Sequence, residues 1–314
     1  MTDTTDTLPI LPTDINHLYY SFDECLTPVI KYIDDKLSDS KEEKDFVIRT
    51  QLKDFKEGLL GVQERAEARL KGGNAHQEEE FAPIVYVVEG IDGSGKTTLK
   101  IELGERYQKE EKLQGRTCVH DIARSTPPKC IRTSDKGKEK KYKDISLLRA
   151  KVFDRADEAT ERAYYMVGNY VLADEMIEEC KEKKMRLVYI VDRYYSSTCS
   201  YTVAKATHID IDQLDDSIFR WPEDLIKPEA VFILCVDESK RNDRVDKRLK
   251  DTNLDSTSIE RDESMKVLGP GVMKALKKIR ANNVDIDANH SMEEVKNSVW
   301  SHLMLSLARL HTVD

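Results

Sequence analysis

The stretch "GIDGSGKT", residues 90–97, holds the side chains of this 314-residue chain that are best suited to chemistry. It matches the pattern G-x-x-x-x-G-K-[ST], and it lies between an apolar run and an amphipathic segment. The glycines let successive backbone N–H groups turn inward and cradle a phosphate at the positive end of the next helix. The sequence therefore predicts a phosphate loop that binds a nucleotide, formed by Gly90, Ile91, Asp92, Gly93, Ser94, Gly95, Lys96, Thr97 and Thr98.

Three side chains of this loop have distinct predicted roles. Lys96 is expected to reach the β and γ phosphates, and the Thr97 hydroxyl is expected to bind Mg²⁺. Asp92 is unusual in a loop that holds anions, because a carboxylate repels a nucleotide unless it faces a sugar hydroxyl or a cation. Asp92 therefore indicates a second ligand beside ATP. The sequence also lacks an NKxD-like segment for reading guanine, which argues against a GTPase.

A second candidate site ends the apolar run in "RLVYIVDRYYSSTCSYT". Asp192 and Arg193 stand where a parallel strand would end, and side chains at that edge face the crevice that binds ligands. Asp192 can hold Mg²⁺, and Arg193 can clamp two phosphates in bidentate fashion. The alternative interpretation is a surface ion pair, which is common in a chain with 35% charged residues.

The elements that position these residues alternate between β-branched runs and long helical patterns. This alternation, with the phosphate loop, predicts an α/β fold, a P-loop NTPase-type parallel five-stranded sheet with helices on both faces. The predicted strands are "IVYVVE", "RTCVHDI", "RLVYIVD", "AVFILCV" and "NVDIDA". The main predicted helices span 97–112, 158–183 and 291–310.

The first 80 residues have a different character, with 10 Lys and Arg against 18 Asp and Glu. Apolar residues recur every three or four positions over 15–37 and 48–70, which predicts two helices, the first split or kinked at Pro28. We expect an acidic helical N-terminal extension and linker over 1–80, followed by a domain over 81–314 that carries the phosphate loop. The helices form either a lid over one flank of that domain or a coiled coil that makes a homodimer.

Composition excludes several other classes of protein. The net charge of −9 argues against nucleic acid as a partner, and no apolar stretch is long enough to cross a membrane. Neither a transit peptide nor a secretory signal is recognisable, so we expect a cytoplasmic protein. The six scattered cysteines have no metal-ligand spacing and are interpreted as reduced packing residues.

The segments "EGIDGSGKTT", "DRYYSSTCSYT" and "LIKPEAVFILCVD" resemble the thymidylate-kinase-like nucleoside monophosphate kinases, from about Pro83 to the C-terminus. "STPPKCI", "RAYYMVGNYVLADEM" and "WPEDLIKPE" are most similar to the UMP-CMP kinase 2 branch. That branch is usually mitochondrial, so a mitochondrial location stays open. The resemblance implies transfer of a phosphoryl group from MgATP to a pyrimidine nucleoside monophosphate.

The resemblance also implies roles for individual residues. Asp92 matches an acid near the sugar and phosphate of the acceptor, while Arg193 and Arg124 match groups that bind the acceptor phosphate. Tyr201 matches an aromatic residue that crowds the sugar 2′ position and favours deoxynucleotides.

Two positions depart from the family pattern. Many eukaryotic relatives have an arginine directly after the loop acid, where this chain has Gly93. The missing charge is then expected from a lid over about 240–270, with Arg248 as the first choice for catalysis. Arg244 and Arg261 are the other candidates, and Arg244 is assigned to ATP binding. A closed lid would also exclude water from the reacting groups.

The second departure concerns the base, because Tyr170 stands where relatives have an arginine that reads thymine. Tyr164, Tyr165 or Met166 could stack on a base, and Asn169 could bond its edge as donor or acceptor. An amide can meet cytosine or uracil by flipping, which favours CMP-type and UMP-type acceptors over TMP. Core packing of the helix is the alternative for each aromatic residue.

The sequence thus predicts an ATP- and Mg²⁺-dependent kinase of dCMP, dUMP, CMP and UMP. A thymidylate kinase is the alternative within the same class. A non-catalytic nucleotide-sensing adaptor, whose acidic helices bind a partner, is the alternative from another class.

Overall fold

A computed structural model describes residues 18–39, 45–71, 81–114, 130–133, 141–205, 210–252 and 263–310. The helices are α1 (Phe22–Ser38), α2 (Phe46–Lys71), α3 (Lys96–Gln114), α4 (Leu148–Lys151), α5 (Glu158–Lys183), α6 (Tyr195–Lys205), α7 (Glu238–Thr252), α8 (Glu263–Lys278) and α9 (Met292–Leu310). The strands are β1 (Ile84–Glu89), β2 (Cys130–Thr133), β3 (Lys141–Asp144), β4 (Val188–Asp192), β5 (Ala230–Cys235) and β6 (Asn283–Asp287). Short 3₁₀ turns cover Phe153–Arg155, Ile211–Gln213 and Asp216–Phe219.

The central sheet is parallel, with the strand order β4-β1-β5-β6. Side chains of β1 alternate between two apolar cores, as the period of a strand requires. Val85 and Val87 pack with α1, α2, α5, α6 and α8, whereas Ile84, Tyr86 and Val88 pack with α3 and α9. The predicted α/β fold with helices on both faces of a parallel sheet is therefore confirmed.

Four of the five predicted strands belong to this sheet, and the fifth, "RTCVHDI", lies outside the described residues. The sequence did not predict the antiparallel hairpin of β2 and β3. Each strand of the hairpin has only four residues and a polar composition, which leaves little periodic signal. Ile131 of this hairpin lies so close to Gly58 of α2 that a Cβ at that glycine would collide with it.

The two N-terminal helices pack against α5 and join the same core as β1. Phe22 of α1 lies 5.0 Å from the ring of Tyr170, and Phe55 of α2 lies 5.7 Å from that of Tyr164. The apolar face that could have formed a coiled coil is therefore buried within this chain. The helix is not split at Pro28, since α1 continues through it. Because proline has no N–H, the Glu24 carbonyl loses its hydrogen bond within the helix. Glu24 is exposed, so water can take the place of that donor.

A buried ionic contact fixes α2 on α5. The Asp174 carboxylate is 2% exposed and lies 2.6 Å from Arg65 Nη2 and 2.9 Å from Arg69 Nη1. Both arginines belong to α2, so these two ionic partners of the buried carboxylate come from the N-terminal extension. A charge this deeply buried requires such pairing.

Two further expectations concern composition. Cys25, Cys180 and Cys199 are buried thiols without a disulfide, in agreement with their interpretation as packing residues. Of the helices in the described ranges, none combines the length and the apolar character that a bilayer crossing demands.

Candidate active site

The phosphate loop joins the end of β1 to the start of α3, and its shape depends on three glycines. Gly90, Gly93 and Gly95 have φ angles of +144°, +82° and +98°, which side chains with a Cβ rarely adopt. A Cβ at Gly90 would also lie 2.8 Å from the Ser94 hydroxyl. The loop therefore has the close backbone turns that a phosphate cradle requires.

Lys96 begins α3 and lies inside the loop, with 6% of its surface exposed. Its ammonium group donates a hydrogen bond to the Ile91 carbonyl at 2.8 Å and lies 3.8 Å from the Asp92 carboxylate. Burial lowers the pKa of Lys96 to about 8, and repulsion from Arg193 acts in the same direction. A bound phosphate would offset both effects by its negative charge.

Thr97 and Asp192, the two predicted metal ligands, lie together. The Thr97 hydroxyl donates to Asp192 Oδ2 at 2.6 Å, and Asp192 Oδ1 is buried without a hydrogen-bond partner among the described residues. A hydroxyl and a carboxylate with a free oxygen are ligands that suit Mg²⁺. Among the described residues there is no group of three His, Cys, Asp or Glu that could hold a metal ion.

Arg193 follows β4 and connects the phosphate loop with α6. It has a φ of +67°, and its N–H donates to the Val88 carbonyl at 3.2 Å. Its guanidinium donates to the Asp92 carboxylate and, at 3.1 Å, to the Ser197 hydroxyl. It also lies over the Tyr201 ring, 5.5 Å from the centroid. The structure thus brings together three predicted acceptor residues, Asp92, Arg193 and Tyr201.

Glu89, the last residue of β1, is a site residue that the sequence analysis missed. Its buried carboxylate accepts the N–H groups of Tyr194 and Ser197 at 3.0 and 3.1 Å and the Ser197 hydroxyl at 2.6 Å. Burial raises its pKa, while Arg193 and these hydrogen bonds oppose the rise. Glu89 therefore fixes the turn that carries Arg193. An acid at the end of an otherwise apolar strand was the available signal.

Asn169 lies on α5 against the first turn of α6 and is fully buried. Its amide nitrogen donates to Thr198 Oγ1 at 3.1 Å and contacts Met166 Sδ at 3.8 Å. Its carbonyl oxygen has no hydrogen-bond partner among the described residues. Thr198 directly follows Ser197, the partner of Arg193, so the amide lies next to the predicted acceptor residues. Sequence reasoning missed Thr198, which has no distinctive motif.

The two predicted tyrosines of α5 have different surroundings. Tyr165 is partly exposed, and the Arg149 guanidinium lies 5.6 Å from its ring centroid. Tyr170 donates to the Asp224 carboxylate at 2.6 Å and packs on Phe22. These contacts place Tyr170 at the interface with α1. Its side chain points in another direction from that of Asn169, because consecutive residues of a helix lie about 100° apart around the axis. The structure does not bring Tyr170 to the acceptor group, so it offers no replacement for a base-reading arginine.

Arg244 of α7 spans the phosphate loop and the turn after β6. Its guanidinium donates to the Ser94 carbonyl at 3.1 Å and to the Ala288 carbonyl at 2.7 Å. Because the arginine links the loop to a neighbouring turn at the edge of the sheet, it borders the crevice that ATP is predicted to occupy. Its assignment to ATP stays a prediction.

Arg241, one turn earlier on α7, is a second residue that the sequence analysis missed. It is 4% exposed, and one guanidinium nitrogen lies 3.5 Å from the Asp92 carbonyl. A Cβ at Gly93 would lie only 3.0 Å from Arg241 Cγ. The absent side chain at position 93 therefore leaves room for an arginine that α7 supplies. The polar lid sequence contains several arginines, and spacing alone did not single out this one.

The remaining predicted residues contribute less to this picture. Thr98 is exposed in the first turn of α3. Arg248 lies on α7, but its side chain is outside the described part, as are Arg124 and Arg261 altogether. Their proposed roles stay predictions.

Comparison with known proteins identifies the family. The profile of the Thymidylate kinase family matches residues 88–299, which include the phosphate loop, Asp192, Arg193 and α7. The chain therefore belongs to the thymidylate kinase family of nucleoside monophosphate kinases, as the motifs predicted.

The individual relatives share only low sequence identity with this chain. The chain is 25% identical over 176 residues to human "UMP-CMP kinase 2, mitochondrial", an alignment that covers 56% of this chain and 33% of that protein. The chain thus matches about a third of the length of that relative. Thymidylate kinase from Ehrlichia chaffeensis has a TM-score of 0.41 and 18% identity, covering 71% of this chain and 99% of its own. The enzyme from Candida albicans has a TM-score of 0.46 and 18% identity, with coverages of 71% and 92%.

Proposed function

We propose that this chain transfers the γ-phosphoryl group of ATP to pyrimidine nucleoside monophosphates, with dCMP, dUMP, CMP and UMP as acceptors. One observation carries the proposal: the Asp92 carboxylate links Lys96 of the phosphate loop to Arg193 of the second site. Two cations that face one carboxylate from two elements form a pocket for more than one phosphate.

The donor nucleotide is expected to bind at the phosphate loop. Backbone N–H groups of the loop and the Lys96 ammonium would hold its phosphates, and Arg244 would contact ATP at the edge of the crevice. Thr97 and Asp192 would hold Mg²⁺ directly or through water. When bound, Mg²⁺ neutralises charge on the β and γ phosphates.

The acceptor phosphate is expected to bind Arg193. This guanidinium already donates to a carboxylate and a hydroxyl oxygen, and the same N–H groups can donate to the oxygens of a phosphate. A phosphate dianion would compete with Asp92 for the arginine, which frees the carboxylate for the sugar hydroxyl. Tyr201 packs on Arg193 and would border the sugar. Arg124 is the further acceptor-phosphate group that the resemblance implies.

The base is expected to meet Asn169. The amide keeps an unused carbonyl oxygen, and its nitrogen bonds a hydroxyl that can also accept or donate. Such a pair can serve the edge of cytosine or of uracil after an amide flip. The partly exposed ring of Tyr165 offers a surface on which the base can stack.

Catalysis would consist of positioning and charge neutralisation. An oxygen of the acceptor phosphate forms a bond to the γ-phosphorus of ATP as the bond to the β–γ bridging oxygen breaks, which yields ADP and a diphosphate. The acceptor phosphate is already ionised near neutral pH, so no general base is needed. Lys96, Arg193 and an arginine of α7 would neutralise the transferring group. Arg241 and Arg244 both contact the loop, Arg244 is assigned to ATP, and Arg248 was the choice from sequence.

A substrate panel tests the proposal. Purified protein with MgATP should form diphosphates from dCMP, dUMP, CMP and UMP, and Lys96→Ala should abolish nearly all turnover. A higher kcat/KM for dTMP than for dCMP would favour the thymidylate kinase alternative, to which the name of the family points. No diphosphate from any of the five acceptors would refute the proposal and leave the adaptor alternative.

A further inference from the structure

Two hydrogen bonds in series connect Glu89, at the end of β1, with the guanidinium of Arg193. The Ser197 hydroxyl donates to Glu89 Oε2 at 2.6 Å, and Arg193 Nη1 donates to the same hydroxyl at 3.1 Å. Glu89 is fully buried and Ser197 is 7% exposed, so little water competes for these bonds. Ser197 thus stands between a buried carboxylate and the arginine that is proposed to bind the acceptor phosphate.

The carboxylate determines which way the Ser197 hydroxyl points. An ionised carboxylate only accepts hydrogen bonds, whereas a hydroxyl has a single proton to donate. Within the described residues, Glu89 accepts three hydrogen bonds, from the N–H groups of Tyr194 and Ser197 and from the Ser197 hydroxyl. The hydroxyl proton is therefore directed at Glu89, and its lone pairs face the guanidinium of Arg193.

The same carboxylate holds the backbone that carries Arg193. This residue has a φ of +67°, a left-handed conformation that is uncommon for a residue with a Cβ and persists where the surroundings fix it. The Arg193 N–H donates to the Val88 carbonyl at 3.2 Å, and the next N–H, that of Tyr194, donates to Glu89 Oε1 at 3.0 Å. The end of β1 thus fixes the backbone of the arginine, while Ser197 fixes its guanidinium.

The two partners of the Arg193 guanidinium differ in kind. Asp92 is a partly exposed anion on the phosphate loop, and under the proposed function a phosphate dianion takes its place. Ser197 is neutral, buried and bonded to Glu89, so it can keep its bond to Arg193 when the phosphate binds. A guanidinium that is already held on one side needs less ordering when the phosphate arrives.

We propose that Glu89 and Ser197 are positioning residues for the acceptor: through the Ser197 hydroxyl, the Glu89 carboxylate holds Arg193 in place for the acceptor phosphate. The inference rests on the proposed function, because it takes Arg193 as the group that binds this phosphate. Glu89 and Ser197 act through Arg193 and need no contact with either nucleotide. They should therefore control the affinity for the monophosphate more than that for ATP.

The experiment uses the full chain and titration calorimetry with CMP, UMP, dCMP, dUMP or dTMP alone, followed by steady-state KM for the same acceptors. Ser197→Ala should weaken binding of the monophosphate about tenfold and raise its KM in parallel, because the guanidinium loses its fixed partner. The Kd for a non-hydrolysable ATP analogue with Mg²⁺ should stay within about twofold of the unsubstituted protein.

Ser196→Ala is the matched control. Ser196 precedes Ser197 on α6 and is 1% exposed, and its hydroxyl has no hydrogen-bond partner among the described residues. The two variants thus remove the same buried group from neighbouring positions. Ser196→Ala should leave the affinities for the monophosphate and for the ATP analogue unchanged.

Glu89→Gln tests the direction of the hydroxyl. The glutamine carbonyl can still accept the N–H groups of Tyr194 and Ser197, but its amide nitrogen would face the Ser197 hydroxyl as a donor. The hydroxyl proton would then turn toward the N–H groups of Arg193. Glu89→Gln should therefore weaken monophosphate binding at least as much as Ser197→Ala. The double variant should lose little more than either single variant, because both changes act on Arg193 through the same hydroxyl.

Three results would overturn the inference: unchanged monophosphate affinity in Ser197→Ala, an equal loss in Ser196→Ala, or a parallel loss of ATP affinity in Ser197→Ala. Additive losses in the double variant would contradict the shared route through Ser197. An active kinase with unchanged Ser197→Ala affinity would refute only the positioning role. An unsubstituted protein that binds none of the five monophosphates would refute the proposed function, and this inference with it.

Discussion

The protonation of Lys96 should control the affinity for ATP above neutral pH. Burial, helped by Arg193, lowers the pKa of this ammonium group to about 8 in the nucleotide-free protein. Asp92, Asp192 and Glu89 favour the charged form but do not restore its usual pKa. A bound triphosphate adds several negative charges beside the ammonium, so the lysine should stay protonated in the complex.

The size of the effect follows from the protonated fraction of Lys96 in the free protein. With a pKa of about 8, this fraction falls from roughly 0.9 at pH 7 to roughly 0.1 at pH 9. If only the protonated form binds tightly, the affinity for MgATP should fall about tenfold over this range. The same linkage predicts that binding at pH 8 takes up about half a proton.

Isothermal titration with a non-hydrolysable ATP analogue and Mg²⁺ at the three pH values measures both quantities. Two buffers with different ionisation enthalpies report the proton uptake. Lys96→Arg is the control, because a guanidinium stays charged throughout and its affinity should not vary with pH. A pH-independent Kd for the unsubstituted protein, or the same tenfold fall in Lys96→Arg, would refute the reasoning.

Three substitutions test other parts of the structure. Asp192→Asn should raise the Mg²⁺ concentration for half-maximal activity by about tenfold or more, because it removes a charged ligand; an unaltered Mg²⁺ titration would contradict this role. Arg241→Ala should lower kcat by about 10²-fold with little change in either KM, whereas Arg241→Lys should recover part of it; unchanged kcat would transfer the role to another arginine of α7. Asp174→Ala should lower the free energy of unfolding by about 3 kcal/mol, because a buried pairing is broken. The exposed Asp34, which pairs with Lys56, should lose only about 0.5 kcal/mol on substitution by alanine; equal losses in urea unfolding would contradict the difference.

The sequence predicted those parts of the site that depend on local pattern. The phosphate loop requires glycines at fixed positions, and Asp192 and Arg193 end a continuous apolar run, so both were recognisable without tertiary information. The parallel sheet followed from buried strands such as β1, whose six residues are all buried. The long helix α5 also has the predicted bounds.

Residues whose role depends on contacts between distant segments were not predictable in this way. Glu89 acts through Ser197, more than a hundred positions away, and Thr198 gains importance only because it meets Asn169. Arg241 gains its importance from its approach to Gly93, a contact between segments that are far apart in the sequence. Tyr170 was assigned from its matching position in the family. In the structure it packs on Phe22 of α1, a helix that lies outside the family match.

The packing of α2 on α5 has a practical consequence for anyone who trims the chain to its recognisable part. A fragment starting at residue 81 would keep the whole family match but would strip α5 of its covering helices. Tyr164 would lose its contact with Phe55, and Asp174 would lose both arginine partners. The fragment would therefore expose an apolar surface that contains an unpaired carboxylate. Such a fragment should be prone to aggregation, so its inactivity would say nothing about catalysis.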